Sequence, residues 1–468
     1  MIRFVRGFLI LITLLSLGRN STSAQQVFTP EQLMWLVGEY HPISVQGELL
    51  IEQGKSTIRR AKGGFDPYIF TDFNQKRFDD KDYYSLLHSG LKVPTWFGVE
   101  LQGGFEQNSG IFLNPENFVP DDGLWYGGIS VPVGQGLFID KRRAALKQAK
   151  IYAQSTEAER QNMMNDLYFE ALKSYWKWVQ AWNQVQVFEE AVLLAQTRLE
   201  AVKGSYELGD KPAIDTLEAA IQVQNREIGR NEALLIYQNS SLDLSNFLWY
   251  ENQIPLVITD SLVPPRAETV ILSEGISQDS LDAALDLLEF QHPEMRLYGF
   301  KLQDLEVEQR LKREQLKPKL DLKYNFLTQP TGGDAVNTLS TQNYTWGLSF
   351  SFPLLLRKQR GDVELANLKI QDTQMARQDK LQNLRNKLRS YRNQQAMLSD
   401  QVVLYRGNVD SYERLLTGER QKFDLGESSL FLVNSRETKL IEARIKWIEL
   451  ISKYQISVAG LSYSIGNL

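Results

Sequence analysis

The chain contains no cysteine and only three histidines among its 468 residues. Without cysteine the chain forms no disulfides, and it has no cysteine that could become the lipid-modified N-terminus of an exported protein. Two of the histidines stand in matching His-Pro pairs, at residues 41–42 and 292–293. Few side chains therefore remain for a metal site or a nucleophilic centre. The sequence predicts neither a metal or other cofactor nor an enzyme.

Long apolar runs are also scarce. The clearest one, residues 8–17, follows Arg3 and Arg6 and precedes the small residues at 21–24. This order predicts a secretory signal peptide at residues 1–24, and an uncleaved anchor is the alternative. About ten apolar residues are too few for a comfortable bilayer span. No other stretch approaches 18 uninterrupted apolar residues, so no transmembrane helix is predicted.

Positive charge is in deficit, because the formal net charge is −5. Cleavage after residue 24 would remove three arginines and no acid, which changes the net charge to −8. A chain with this balance is not expected to bind nucleic acid.

Two short segments that lie 217 residues apart have nearly the same order of residue types. Residues 206–210 (YELGD) and 423–427 (FDLGE) both read aromatic, acid, Leu, Gly, acid. The His-Pro pairs and further matching prolines precede them in the same order in each half. The chain is therefore predicted to contain two internal repeats of one architecture.

Both halves contain segments with the two-residue period of β-strands. Apolar and polar side chains alternate over residues 97–106, 124–133, 320–326 and 344–352. A soluble β-sandwich would show the same alternation. These strands, however, are long, about nine to eleven residues, and aromatic on the apolar face, which is typical of outer-membrane barrels. One chain has too few such strands to close a barrel, so closure requires several subunits.

A very long helix is predicted after each pair of strands. Residues 137–206 and 358–423 lack proline, and their apolar residues recur at three- and four-residue steps. A helix of about 65 to 70 residues is on the order of 100 Å long, as in coiled coils and tall bundles. Return helices are predicted over 211–249 and 428–464. Each half then ends in a helical hairpin whose tip contains a glycine.

These patterns indicate an α+β membrane protein with eight consecutive segments. They are a signal peptide (1–24), N-terminal helices (25–64), first strands (65–133), a first hairpin (137–249), a linker (250–279), an entering helix (280–317), second strands (318–353) and a second hairpin (357–468).

The duplicated order of strands, long helices and tips resembles the TolC family of outer-membrane efflux proteins over essentially the whole mature chain. Residues 425–435 (LGESSLFLVNS) and the following helix resemble the family's second tip and last helix, and residues 208–217 (LGDKPAIDTL) resemble its first tip. The resemblance implies a homotrimer with one shared outer-membrane β-barrel that continues into a long periplasmic α-helical barrel. It also implies two partners, a periplasmic adaptor and an inner-membrane pump.

The resemblance assigns adaptor docking to the hairpin tips, at Leu208, Gly209, Leu425 and Gly426, although helix termination alone would also explain these residues. In the family, acids six and nine positions after the second tip glycine often constrict the closed pore. Here those positions hold Leu432 and Ser435, so an acidic gate is in doubt there.

The equivalent positions of the first repeat hold Asp215 and Glu218, which either form the gate or lie on a solvated helix face. The four residues Asp215, Glu218, Leu432 and Ser435 are the candidate pore gate.

The two copies differ in the length of their strand regions. Sixty-five residues separate Pro67 from Pro132, whereas 35 separate Pro318 from Pro353. The surplus includes residues 83–93, which could form an additional strand, so each subunit would supply either four or six strands. Basic runs at residues 141–143 and 357–360 would contact outer-membrane lipid headgroups or begin solvated helices.

The predicted function is passive conduction through the outer membrane, in a tripartite efflux or type I secretion system. The alternative is a periplasmic coiled-coil adaptor or scaffolding protein, which would explain the helices but not the paired aromatic strands. The sequence does not identify the cargo.

Overall fold

The structure is a computed structural model that describes residues 26–259, 261–272, 275–329 and 342–468. The predicted signal peptide lies outside these residues. The chain divides into two compact units. The sheet unit comprises residues 46–163 and 279–387, and the tip unit comprises the described parts of residues 1–45, 164–278 and 388–468.

The main elements alternate between helices and strands in the order that the repeat predicts. The helices are α1 (Pro30–Tyr40), α2 (Pro42–Lys62), α3 (Lys141–Glu207), α4 (Ala213–Ser245), α5 (Gln278–Gln291), α6 (Pro293–Glu314), α7 (Arg357–Asp424) and α8 (Leu430–Ile465). The strands are β1 (Tyr68–Phe78), β2 (Lys81–Pro94), β3 (Glu100–Ser109), β4 (Leu124–Pro132), β5 (Lys319–Thr328) and β6 (Tyr344–Ser351).

The two long helices and their return helices are confirmed, with ends that differ from the prediction by a few residues. Ser429 is the N-cap of α8, and its hydroxyl accepts a hydrogen bond from the Leu432 amide. Pro212 stands at the N-cap of α4 rather than inside its first turn. Within the described residues, no helix is both long enough and apolar enough to cross a membrane.

The prediction of one continuous helix over residues 280–317 is wrong, because the segment breaks between α5 and α6. Proline cannot donate the amide hydrogen bond that would continue α5, so the helix ends before Pro293. His292 becomes the N-cap of α6, and its Nδ1 accepts a hydrogen bond from the Glu294 amide at 3.2 Å. His41 does the same before α2, where Nδ1 accepts from the Ile43 amide at 3.1 Å. The paired His-Pro motifs are therefore helix junctions.

The six strands of the sheet unit form one antiparallel meander in the described residues, in the spatial order β6-β5-β4-β3-β2-β1. The additional strand predicted at residues 83–93 is present within β2. Its partner β1 is joined to it through Asp79 and Asp80, whose φ values of 54° and 52° suit a two-residue hairpin turn. The strand predicted to start at Phe97 starts at Glu100 instead, because Gly98, at φ 96°, lies in a turn.

The sheet has one apolar and one polar face, because directly paired residues point to the same side. One row across four strands of the apolar face is Leu101, Ile129, Tyr324 and Trp346. The adjacent row on the polar face is Gln102, Gly128, Asn325 and Thr345. On the polar face the Gln102 amide donates to Asn325 Oδ1 at 2.7 Å.

Helices of the sheet unit pack closely through glycine. A Cβ on Gly54 of α2 would lie 3.1 Å from the Ala153 Cα, and one on Gly47 would lie 2.9 Å from the Arg160 Cγ. The basic run that opens α3 makes local ion pairs, Arg142 with Glu100 and Arg143 with Asp140, both at 3.1 Å. These pairs fix the turn from β4 into α3.

The core of the tip unit is aromatic. Tyr175 and Trp178 of α3 are fully buried, and the Tyr175 hydroxyl donates to the Phe28 carbonyl at 2.6 Å. The Ser452 hydroxyl of α8 donates to the Trp176 carbonyl at 2.9 Å. These bonds attach the N-terminal segment and α8 to the same length of α3.

Candidate functional site at the hairpin tips

The first hairpin tip ends α3 with a left-handed glycine. Gly209 has φ +83°, and its amide donates to the Tyr206 carbonyl at 2.9 Å. The Asp210 amide donates to the Ser205 carbonyl at 2.8 Å. This pair of bonds is a Schellman motif, which satisfies carbonyls that a helix end otherwise leaves free.

The second tip ends α7 in the same way. Gly426 has φ +79°, and its amide donates to the Phe423 carbonyl at 3.0 Å. The Glu427 amide donates to the Lys422 carbonyl at 2.8 Å. The duplicated five-residue segments therefore encode duplicated backbone motifs, and the predicted helix termination is confirmed at both glycines.

The leucine before each tip glycine is exposed to an extent unusual for an apolar side chain. Leu208 is 80% exposed and Leu425 is 75% exposed. A Cβ on Gly209 or Gly426 would meet nothing within 4 Å. The tips are thus free surfaces of this subunit, and adaptor docking at these four residues remains a prediction.

The two tips contact each other. The Lys211 Nζ lies 4.6 Å from the centre of the Phe423 ring, which is a cation–π distance. Val202, Ala219 and Leu430 form a small buried apolar cluster beside them, against which Phe423 packs. The first and second hairpins are therefore joined at their ends by apolar contact and by charge.

Of the four predicted gate residues, the structure connects one to a larger network. Glu218 accepts a hydrogen bond from the Asn434 side chain at 3.0 Å. Asp215 is half-buried, and its amide donates to the Pro212 carbonyl at 3.1 Å. Leu432 is exposed and Ser435 half-buried on α8. The gate assignment itself remains a prediction.

A charged cluster lies behind the tips and consists of Arg198, Arg226, Arg420 and Glu437. The Glu437 side chain is only 4% exposed, and its carboxylate contacts the Arg198 guanidinium. Arg226 Nε lies 3.9 Å from Glu437 Oε1, and Arg420 Nη2 lies 3.4 Å from Oε2. One buried carboxylate thus binds guanidinium groups from three other helices, α3, α4 and α7.

Neutral side chains extend the charged cluster toward Glu218. Arg198 Nη1 donates to Asn434 Oδ1 at 2.8 Å, and the Asn434 amide in turn donates to Glu218. Arg226 Nη2 donates to the Thr438 hydroxyl at 2.7 Å. The network therefore links α4 and α8 by two routes.

Burial makes the charged cluster sensitive to loss of its carboxylate. Burial lowers the pKa of Arg226, and the nearby Glu437 opposes that change. Arginine stays protonated in proteins, so its positive charge must be balanced in place. Removal of Glu437 would leave the buried guanidinium groups of Arg198 and Arg226 without the carboxylate that contacts them.

A smaller polar contact closes the second tip. The Ser428 hydroxyl donates to Glu419 Oε1 at 2.5 Å, and Arg436 Nε lies 3.6 Å from Glu419 Oε2. The hydrogen bond from Ser428 is the main reason why the pKa of Glu419 is lowered, and Arg436 contributes. This contact ties the end of α7 to the beginning of α8.

Sequence reasoning missed the charged cluster. A signal was present, because Glu437 lies within a stripe of buried α8 residues at three- and four-residue steps: Leu430, Val433, Glu437, Leu440 and Ile441. An acid on the apolar stripe of a helix requires a buried partner. Its partners lie on other helices, however, so the sequence does not name them.

Comparison with known proteins agrees with the geometry. Residues 284–467 match the family model described as "Outer membrane efflux protein". The fold is similar to that of the Campylobacter jejuni CmeC outer membrane channel, at 15% identity, with 96% of this chain and 90% of that chain covered and a TM-score of 0.65.

Two further channels have the same fold. The Vibrio cholerae outer membrane protein VceC has 13% identity, coverage of 94% of this chain and 96% of that chain, and a TM-score of 0.65. The open-state Neisseria gonorrhoeae MtrE outer membrane channel has 12% identity, coverage of 97% and 96%, and a TM-score of 0.65. No curated protein matches the chain by sequence.

Proposed function

We propose that the chain, whose residues 284–467 match the family model of outer membrane efflux proteins, forms the outer-membrane channel of a tripartite efflux or type I secretion system. Its substrates would be handed over by an inner-membrane pump and a periplasmic adaptor. The channel conducts passively.

The observation that carries the proposal is the exposed apolar face of the sheet. Its aromatic and aliphatic side chains lie in the open in this subunit, among them Ile69 at 79%, Phe350 at 66% and Trp346 at 64% exposure. A soluble subunit would cover a face of this size. Lipid covers such a face in an outer-membrane barrel, while the polar face lines water. The sheet therefore supports a location in the outer membrane.

A second exposed surface supports self-association of the subunit. Five apolar residues of α4 recur at intervals of seven: Ile214, Ile221, Ile228, Leu235 and Leu242. All five are 45–70% exposed. A strict seven-residue apolar repeat is the seam of a left-handed coiled coil, and this seam has no cover within the described residues. We assign it to a neighbouring copy in a homotrimer, whose helices form a periplasmic helical barrel.

The tips and the charged cluster support a mechanism of opening. Leu208, Gly209, Leu425 and Gly426 would receive the adaptor, and Asp215, Glu218, Leu432 and Ser435 would line the constriction. Adaptor contact would favour a second packing of the hairpins without any chemical step. Glu437 would hold the closed packing, because its one carboxylate contacts guanidinium groups of α3, α4 and α7 together and compensates their buried charge.

Fractionation tests the proposal directly. The protein should sediment with outer membranes and run as an oligomer that heating converts to monomer. Ile228→Glu should weaken the oligomer, because it places a charge in the centre of the α4 seam. Ile236→Glu is the matched control, since Ile236 is similarly exposed but lies off the seven-residue repeat. A monomer released by osmotic shock would contradict the proposal.

Transport is tested in a deletion strain. Loss of the channel should increase accumulation of a fluorescent dye that pumps export, and the wild-type gene should restore export. Unchanged dye accumulation, with retained outer-membrane oligomers, would favour secretion of proteins over efflux of small molecules.

A further inference from the structure

The two outer strands of the sheet each have an open edge. Among the described residues, β1 pairs only with β2 and β6 pairs only with β5. Every residue of β6 and nearly every residue of β1 is exposed, in contrast to β2 between its two neighbours. An open edge presents unpaired amide and carbonyl groups along its length.

The β1–β2 hairpin is a continuous part of the sheet that the other four strands form. β2 pairs with β3 over ten consecutive residues, from Ser85 with Ser109 to Pro94 with Glu100. Ile69 of β1 pairs with Leu91 of β2, which places both on the face that carries Leu101 of β3. The apolar face therefore continues across the hairpin, with Thr71 and Ser89 as a polar pair within it.

The polar face continues across the hairpin in the same way. Asp72 pairs with His88, which pairs with Glu106 of β3. His88 Nε2 lies 2.7 Å from the Tyr126 hydroxyl of β4. A hairpin that was not part of the barrel sheet would not need to align its apolar and polar faces with those of the other four strands.

In hydrocarbon, unpaired backbone groups cost several kcal/mol each, so spanning sheets close into barrels. The six strands alternate in direction, so β6 runs opposite to β1. An identical sheet placed at either edge would therefore continue the antiparallel pattern. The partner that fits the β1 edge is the β6 edge of a second copy of this chain.

We propose that β1 of each subunit pairs with β6 of the next, and that three subunits close one barrel of 18 strands. The number of subunits rests on the homotrimer of the proposed function. At a strand spacing of about 4.8 Å and a tilt of about 40°, 18 strands enclose a backbone cylinder roughly 36 Å across, against roughly 24 Å for 12 strands. The β1–β2 hairpin thus sets the width of the lumen.

The register of the subunit contact follows from the ends of the two strands. Tyr68 begins β1 shortly after α2, and Ser351 ends β6 shortly before α7. With these helix-side ends level, Asp72 lies opposite Gly347, and both belong to the polar face. Directly opposed residues have Cα atoms about 4.5–5.5 Å apart, within the range of a disulfide.

Cysteine cross-linking tests the contact, and the cysteine-free chain supplies a clean background. The panel combines Asp72→Cys or Asn74→Cys with Thr345→Cys, Gly347→Cys or Ser349→Cys, which covers neighbouring registers on the polar face. Oxidation in outer membranes should convert monomer to covalent dimer and trimer on denaturing gels under non-reducing conditions. Asp72→Cys with Gly347→Cys should react most completely, and the single-cysteine variants should stay monomeric.

The alternative barrels give different results. Gln102→Cys and Glu106→Cys place cysteines on β3. If these cross-link to the β6 cysteines and the β1 cysteines do not, each subunit contributes four strands to the barrel, and the inference is overturned. A ladder that stops at dimer would show 12 strands from two subunits and also overturn it. Absence of product from all six β1–β6 pairs, in a protein that still forms the heat-sensitive oligomer, would refute the contact alone. Absence of that oligomer before oxidation would instead refute the proposed function.

Discussion

Glu437 offers a sharp test of the packing behind the tips. Glu437→Gln keeps the shape of the side chain but removes the only carboxylate in the charged cluster. The partners are also buried, since the Arg226 side chain is 9% exposed and that of Arg198 is 14% exposed. Water therefore cannot replace the lost charge at either guanidinium.

The expected cost follows from this burial. Removing one partner of a buried ion pair typically costs about 3–5 kcal/mol, because the remaining charge stays buried and uncompensated. The glutamine retains one hydrogen-bond acceptor, which places the estimate near the lower end, about 3 kcal/mol. Since each 1.4 kcal/mol is about a tenfold change in an equilibrium, local separation of the hairpins should become about 100-fold more frequent.

Hydrogen exchange of the oligomer measures this opening. Amides of α8 around residues 434–441 should exchange about 100-fold faster in Glu437→Gln than in wild type if exchange reports local opening. The matched control is Glu449→Gln on the same helix, because Glu449 pairs with Lys446 at 3.0 Å and lies outside the charged cluster. Equal exchange in the two variants would refute the assignment of Glu437 as the residue that holds the hairpins together.

Three further predictions test single positions by thermal dissociation of the oligomer or by hydrogen exchange. Gly209→Ala should destabilise the first tip by about 1–2 kcal/mol, because a residue with a side chain is strained at φ +83°. The control is Gly204→Ala, inside α3 with open space around it, which should instead stabilise the protein by about 0.5–1 kcal/mol. A similar effect of both substitutions would contradict the reasoning. Burial lowers the pKa of His292 from 6.5 to about 4, so folding favours the neutral ring. The resulting stability, up to about 3 kcal/mol, should be complete above pH 6.5 and be lost as the pH falls to 4. His292→Asn keeps a cap acceptor and should remove this pH dependence; if the dependence persists in the variant, other groups cause it. Gly460→Ala should cost about 1–3 kcal/mol, because its Cβ would lie 2.4 Å from ring carbons of Tyr391, and a neutral result would mean that the ring moves aside freely.

The hairpin tips could be predicted because their signal is local. A left-handed residue at a helix end needs glycine, and the five residues around Gly209 and Gly426 contain the whole backbone motif. The same holds for the long helices, whose three- and four-residue periods run without proline. The ends of several elements differ from the predicted ones by a few residues, and the apolar pattern that continues on both sides of Pro293 hides the break there.

The charged cluster could not be predicted residue by residue. Glu437 and Arg198 are 239 positions apart, and their contact depends on how four helices meet. The sequence shows that a buried acid needs partners, but many arginines of α3, α4 and α7 could have served. Glu218 was a gate candidate from its distance to the tip glycine, and only the structure connects it to Asn434.

The sequence by itself determined the repeat, the helical hairpins and the apolar and polar faces of the main strands, since these follow from periods within single segments. Whether a subunit has four strands or six was decided by tertiary structure. Thr71 and Gln75 fall on the apolar side of β1 and weaken its alternation, so β1 alone does not read as a membrane strand. Its pairing with β2, and the pairing of β2 with β3, supply the hydrogen bonds that hold it in the sheet. Strand pairing joins distant segments, and no local pattern contains it.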